Sequence, residues 1–120
     1  MSKIVISVVA LATLSACAEF GRVPQAPGVS VYKYVGSKQC RGGGMSLATM
    51  MRQLSDAGIP AMNVSCGVDG RMYPAMCGAA DGRSGILEVP EAKVAAAAAR
   101  GFAPLSGLPE ASKTVCPKTP

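Results

Sequence analysis

The chain has 120 residues, 12 of them basic and 7 acidic, giving a formal charge of +5, and it contains no histidine and no tryptophan. The lack of histidine removes the commonest general base and metal ligand and rules out Ser-His and Cys-His nucleophilic pairs. The cations are scattered and the aromatics make up only 4% of the chain, so there is neither a basic nucleic-acid arm nor an aromatic platform for bases.

The first element is a leader. Lys3 is followed by an apolar run from Ile4 to Ala16 that closes on small residues, the pattern of a secretory signal. The run is shorter than the roughly 20 residues needed to span a bilayer. Its end, Leu14-Ser15-Ala16-Cys17, resembles the lipobox of bacterial lipoproteins. That resemblance implies cleavage before Cys17, diacylation of its thiol and acylation of the new amino terminus. Two or three acyl chains make a stable membrane anchor. In that family Asp after the cysteine keeps the protein at the inner membrane. Ala18 stands here instead, which implies the periplasmic face of the outer membrane.

The domain reading is therefore a signal peptide at 1–16, a lipidated Cys17 with a flexible tether at 17–30, and one small α+β domain at 31–120. The tether carries Pro24, Pro27, Gly21 and Gly28 and has no apolar period. Val31 to Val35 alternates and reads as a strand. Ser46 is a fitting N-cap for a helix to Ala57, with Leu47, Met50, Met51 and Leu54 on its buried face and Gly58 as the stop. Ile59 to Ser65 reads as a second strand and Gly85 to Val89 as a third. Pro90 and Glu91 suit the first turn of a second helix running through the alanines to Arg100. Gly101 ends it, and Phe102 to Leu105 makes the last strand. Ala57-Gly58-Ile59 and Arg100-Gly101-Phe102 are echoes of each other. Two strand–helix–Gly–strand units predict βαββαβ: a ferredoxin-like sandwich with both helices on one face of a four-stranded sheet and the other face open to a partner.

Four cysteines follow Cys17, an even number suited to two disulfides in an oxidising compartment. Spacing leaves three pairings open. The expected one is Cys66–Cys77, closing a short loop, with Cys40–Cys116 tying down the proline-rich end. Each bridge is worth about 2–4 kcal/mol.

Residues 66–83 repeat themselves, with Asp69-Gly70-Arg71 matched by Asp81-Gly82-Arg83. Asp-Gly is a turn signal, so two tight turns are expected around Tyr73. Asp69, Arg71, Tyr73, Asp81 and Arg83 then form a presented binding edge. Arg41 opens a glycine turn before the first helix that belongs to the same end of the sheet and offers N–H groups to an anion. No cofactor is expected. No carboxylate pair or Cys-x-x-Cys is present, so the expected role is a non-catalytic binding module, with the membrane and an envelope protein as partners and no nucleic acid. Two alternatives stand beside it: a soft-metal (copper) binder using Met72, Met76 and Cys77, and a thiol–disulfide redox protein.

Overall fold

The computed structural model describes residues 28–117. The signal peptide, Cys17 and most of the tether lie outside the described residues. Five strands and two helices follow in the order β1 (Gly28–Tyr34), α1 (Leu47–Asp56), β2 (Met62–Val68), β3 (Arg83–Pro90), α2 (Val94–Ala99), β4 (Ala103–Pro104) and β5 (Ser112–Thr114). They form one antiparallel sheet in the order β4-β1-β3-β2-β5. The fold is α+β, with a fifth strand where four were expected. Among the described residues no helix is long and apolar enough to cross a membrane.

β1 starts earlier than its alternating pattern suggested. Gly28, Val29 and Ser30 pair with Pro90, Val89 and Glu88, so residues 28–30 belong to the sheet and not to the tether. The central strand β3 joins β1 and β2 and is buried along most of its length. Its residues Leu87 and Val89 face the helices together with Val31 of β1. Met50 and Leu54 of α1, Ala97 of α2, Ile59 and Phe102 complete a single apolar cluster. Met51, expected in that cluster, is 44% exposed because it sits at the margin of the stripe set by Leu47, Met50 and Leu54.

Both helices stop by the same device. In α1 the Gly58 N–H donates to the Ser55 carbonyl and the Ile59 N–H to Leu54. In α2 the Gly101 N–H donates to Ala98 and the Phe102 N–H to Ala97. Each is a Schellman motif whose left-handed residue is glycine, at φ +72° and +89°. The residue after each glycine, Ile59 or Phe102, drops into the core. The sequence echo is thus a repeated helix stop, and Ile59 belongs to the stop, not to a strand. β2 begins only at Met62, after which Asn63 at φ +49° marks a shift in register against β3. Pro90 ends β3, and a single 3₁₀ turn, Glu91–Lys93, precedes the short α2.

β4 and β5 lie on opposite edges, so residues 105–111 must cross the sheet. They do so on the helix-free face. Ile86 and Leu108 are both buried there, outside the helix-side cluster. The face expected to be open is therefore partly covered by the chain's own C-terminal segment.

The disulfide expectation is corrected. The bonds are Cys40–Cys77 and Cys66–Cys116. Topology explains the exchange. β5 pairs along β2 with Thr114 opposite Cys66, which carries Cys116 to Cys66. The loops at 36–44 and 69–82 are zipped together, which carries Cys40 to Cys77. Along the chain the two bridges interleave.

Candidate functional site

The loops after β1 and β2 meet at one end of the sheet, as the sequence led us to expect. Lys38 pairs with Ala80 across an isolated antiparallel bridge. The Gln39 N–H donates to the Ala79 carbonyl at 2.9 Å, and the Gly78 N–H returns a bond of 2.9 Å to the Gln39 carbonyl. The Gln39 side chain donates from Nε2 to the Pro74 and Ala80 carbonyls and accepts from the Met76 N–H. The Cys40–Cys77 bond fastens this ladder covalently.

The two Asp-Gly-Arg repeats form matching turns. Asp69 Oδ1 accepts the Arg71 N–H at 2.9 Å, and Asp81 Oδ1 accepts the Arg83 N–H at 3.1 Å. These are Asx turns. The second oxygen of each carboxylate reaches the other side of the cleft. Asp81 Oδ2 accepts the Ser37 hydroxyl at 2.6 Å, and Asp69 Oδ2 accepts the Tyr34 hydroxyl at 2.9 Å and the Tyr73 hydroxyl. Gly82 permits the second turn twice over. Its φ is +71°, and a Cβ there would fall 2.5 Å from Asp69 Oδ1.

Asp69 is only 2% exposed yet carries a charge. Burial alone would raise its pKa. The hydrogen bonds from Tyr73, the Arg71 N–H and Tyr34, with the Arg71 charge, outweigh burial and hold it below the usual carboxylate range. Burial and the bond to Asp69 push the Tyr34 phenol up to about 12. Tyr73 is raised as well, chiefly by donating to Asp69.

Around this framework lies a cleft of ≈ 270 Å³ lined by Tyr34, Gly36, Ser37, Lys38, Arg71, Tyr73 and residues 80–83. Of the predicted edge, Arg71, Tyr73, Asp81 and Arg83 line it. Asp69 lies buried beside it, holding two of its tyrosines. Arg41 does not take part: its guanidinium lies over Gly78, beside the Cys40–Cys77 bridge. Tyr34, Ser37 and Lys38 were missed. They come from the far side of the first helix in sequence, and only the Tyr-Lys-Tyr alternation hinted that one face of β1 ends in a polar phenol. A larger depression of ≈ 400 Å³ runs between Val29, Ser30 and the 105–111 crossing, and no charged side chain lines it.

The soft-metal set loses its thiolate, since Cys77 is bonded to Cys40. Met72 is 98% exposed and Met76 61%, so their thioethers point to solvent. The redox reading is equally short of a free thiol, because all four cysteines among the described residues are paired. Comparison with family models, with curated proteins and with solved structures finds no match to this chain.

Proposed function

We propose that this chain is a lipid-anchored cell-envelope protein, held through Cys17 at the periplasmic face of the outer membrane, whose folded part is a non-catalytic binding module. The observation that carries the binding role is the cleft at the 36–44 and 69–83 loops, where cationic side chains stand over a framework fixed by carboxylates and a disulfide. The carboxylates and hydroxyls of that framework are committed to holding shape, which suits recognition better than proton transfer. Two disulfides support an oxidising compartment. β1 enters the domain at Gly28 and reaches the cleft end at Tyr34, about 20 Å of strand away, so an anchor upstream of Gly28 would leave the cleft facing outward. For the architecture we favour a ferredoxin-like sandwich extended by one strand. The connection order β1-α1-β2-β3-α2-β4, with β1 between β4 and β3, supports that reading, and β5 is an addition on the β2 edge.

Two measurements test the proposal. In Gram-negative cells fed radiolabelled palmitate, the wild-type chain should take up label and sediment with membranes, and Cys17→Ser should do neither. Label on the Cys17→Ser chain would overturn the anchor. A photo-crosslinking residue replacing Ala80, on the cleft, should trap a discrete envelope component that the same residue replacing exposed Arg52, on α1, does not. Equal trapping at both positions, or none at either, would overturn the cleft as the recognition surface.

A further inference from the structure

We propose that the cleft is an oxyanion site whose ligand is a phosphate group, either free or as a terminal monoester. The inference rests on the cleft being the recognition surface and adds the chemistry of what it recognises. Three cationic side chains line the cleft: Lys38, Arg71 and Arg83. Among the described residues, none of their side-chain N–H groups donates a hydrogen bond. The single ion pair is long, with Arg83 Nε 3.8 Å from Asp81 Oδ2. The cations therefore bring a surplus of unengaged donors to one small volume.

The two carboxylates nearby keep their charge and offset the three cations only in part, which leaves the cleft net positive. Each of their four oxygens already accepts a donor from within the fold: the Arg71 and Arg83 N–H groups, Ser37, Tyr34 and Tyr73. They serve as the frame that holds the arginine backbones in place. That frame is rigid before any ligand arrives, because the Gln39 ladder and the Cys40–Cys77 bond fix both walls. A preformed wall lowers the ordering cost of binding.

Size and valence narrow the ligand. At ≈ 270 Å³ the cleft is below the roughly 300–1,000 Å³ of sites for whole drug-sized molecules, so it suits a terminal group. A phosphate monoester or hydrogenphosphate presents three terminal acceptor oxygens that share a charge of about −1.5 to −2, and three cations line the cleft. A carboxylate would leave one of them unmatched.

The test uses the full chain, ¹⁵N-labelled, oxidised and purified in detergent. It is titrated with inorganic phosphate, with glycerol 3-phosphate and with glutarate at constant ionic strength. Phosphate or the monoester should shift the backbone amides of Lys38, Arg71, Gly82 and Arg83 to saturation and leave those of Leu87 and Phe102 in place. Lys38→Gln and Arg71→Gln should each weaken Kd about tenfold, the loss of one charge-assisted hydrogen bond. Tighter binding of glycerol 3-phosphate would identify an esterified group, and tighter binding of inorganic phosphate the free ion. Glutarate binding as tightly as phosphate, shifts that never saturate, or no shift would overturn the proposal. If phosphate fails while crosslinking at Ala80 persists, only the ligand class falls. If both fail, the cleft reading falls with it.

Discussion

The helix side and the loop end of this domain are held by different physics. On the helix side Val31, Leu87, Val89, Met50, Leu54, Ile59, Ala97 and Phe102 exclude water from one apolar cluster. At the loop end almost nothing apolar is buried, and Met72 and Met76 stand in solvent. Shape there comes from Asx turns, a backbone ladder, shared phenols and one disulfide. Burial is non-directional and tolerates small shifts, whereas a hydrogen-bonded frame fixes directions. A domain that must hold a core and also aim charged groups can assign the first task to one face of a sheet and the second to the loops at its end.

The largest test of that division is Phe102→Ala. It should cost about 3–5 kcal/mol in urea unfolding and melt both ends together, because the loop end has no core of its own. A cost below about 1 kcal/mol would break the claim that a single cluster supports the whole domain. Next is the double change Cys40→Ala with Cys77→Ala. It should cost about 2–4 kcal/mol, and amide exchange should quicken in residues 36–44 and 70–80 while Leu87 and Val89 stay protected. Uniform quickening would erase the distinction between the ends.

Acid should act on the loop end through Asp69. Its folded pKa lies below its unfolded value of about 3.9, so its contribution is complete above that value and is lost as pH falls through the folded pKa. Urea midpoints measured from neutral pH into acid should show this limb, and Asp69→Asn should flatten it. The raised Tyr34 has the opposite sign. Its contribution is full below the ordinary tyrosine value and disappears as pH rises through about 12. Tyrosinate absorbance should place one ionisation there, and Asp69→Asn should bring it down part of the way, leaving the effect of burial. The smallest test is Ser46→Ala. It removes the cap on Thr49 N–H and should cost about 1 kcal/mol, with increased exchange confined to the first turn of α1.

The helix side was readable in the chain because its signals are local. Ser46 capped the predicted helix, and Gly58 and Gly101 ended theirs, since each needs only neighbours within one turn. The two Asp-Gly-Arg turns were readable for the same reason. β5 was not. Ser112, Lys113 and Thr114 are exposed and carry no apolar alternation; they are strand only because β2 offers an unpaired edge. The disulfide partners were equally hidden, because proximity in sequence favoured Cys66 with Cys77 while the sheet set Cys66 beside β5. Half of the cleft came from the 69–83 repeat. The other half, Tyr34, Ser37 and Lys38, depended on a ladder between segments that only the folded topology brings together.

The order of the cysteines along the chain has a consequence for how the protein is made. The bonded pairs are Cys40–Cys77 and Cys66–Cys116, so each bridge begins before the other has closed. Taken in the order in which they emerge, the four cysteines after Cys17 would join Cys40 to Cys66 and then Cys77 to Cys116. Both of those bonds are wrong. From those bonds the native pattern is reached only when a thiolate attacks and exchanges them, so oxidation in strict chain order would call for disulfide shuffling, whereas oxidation after the sheet has paired Cys66 with β5 would not.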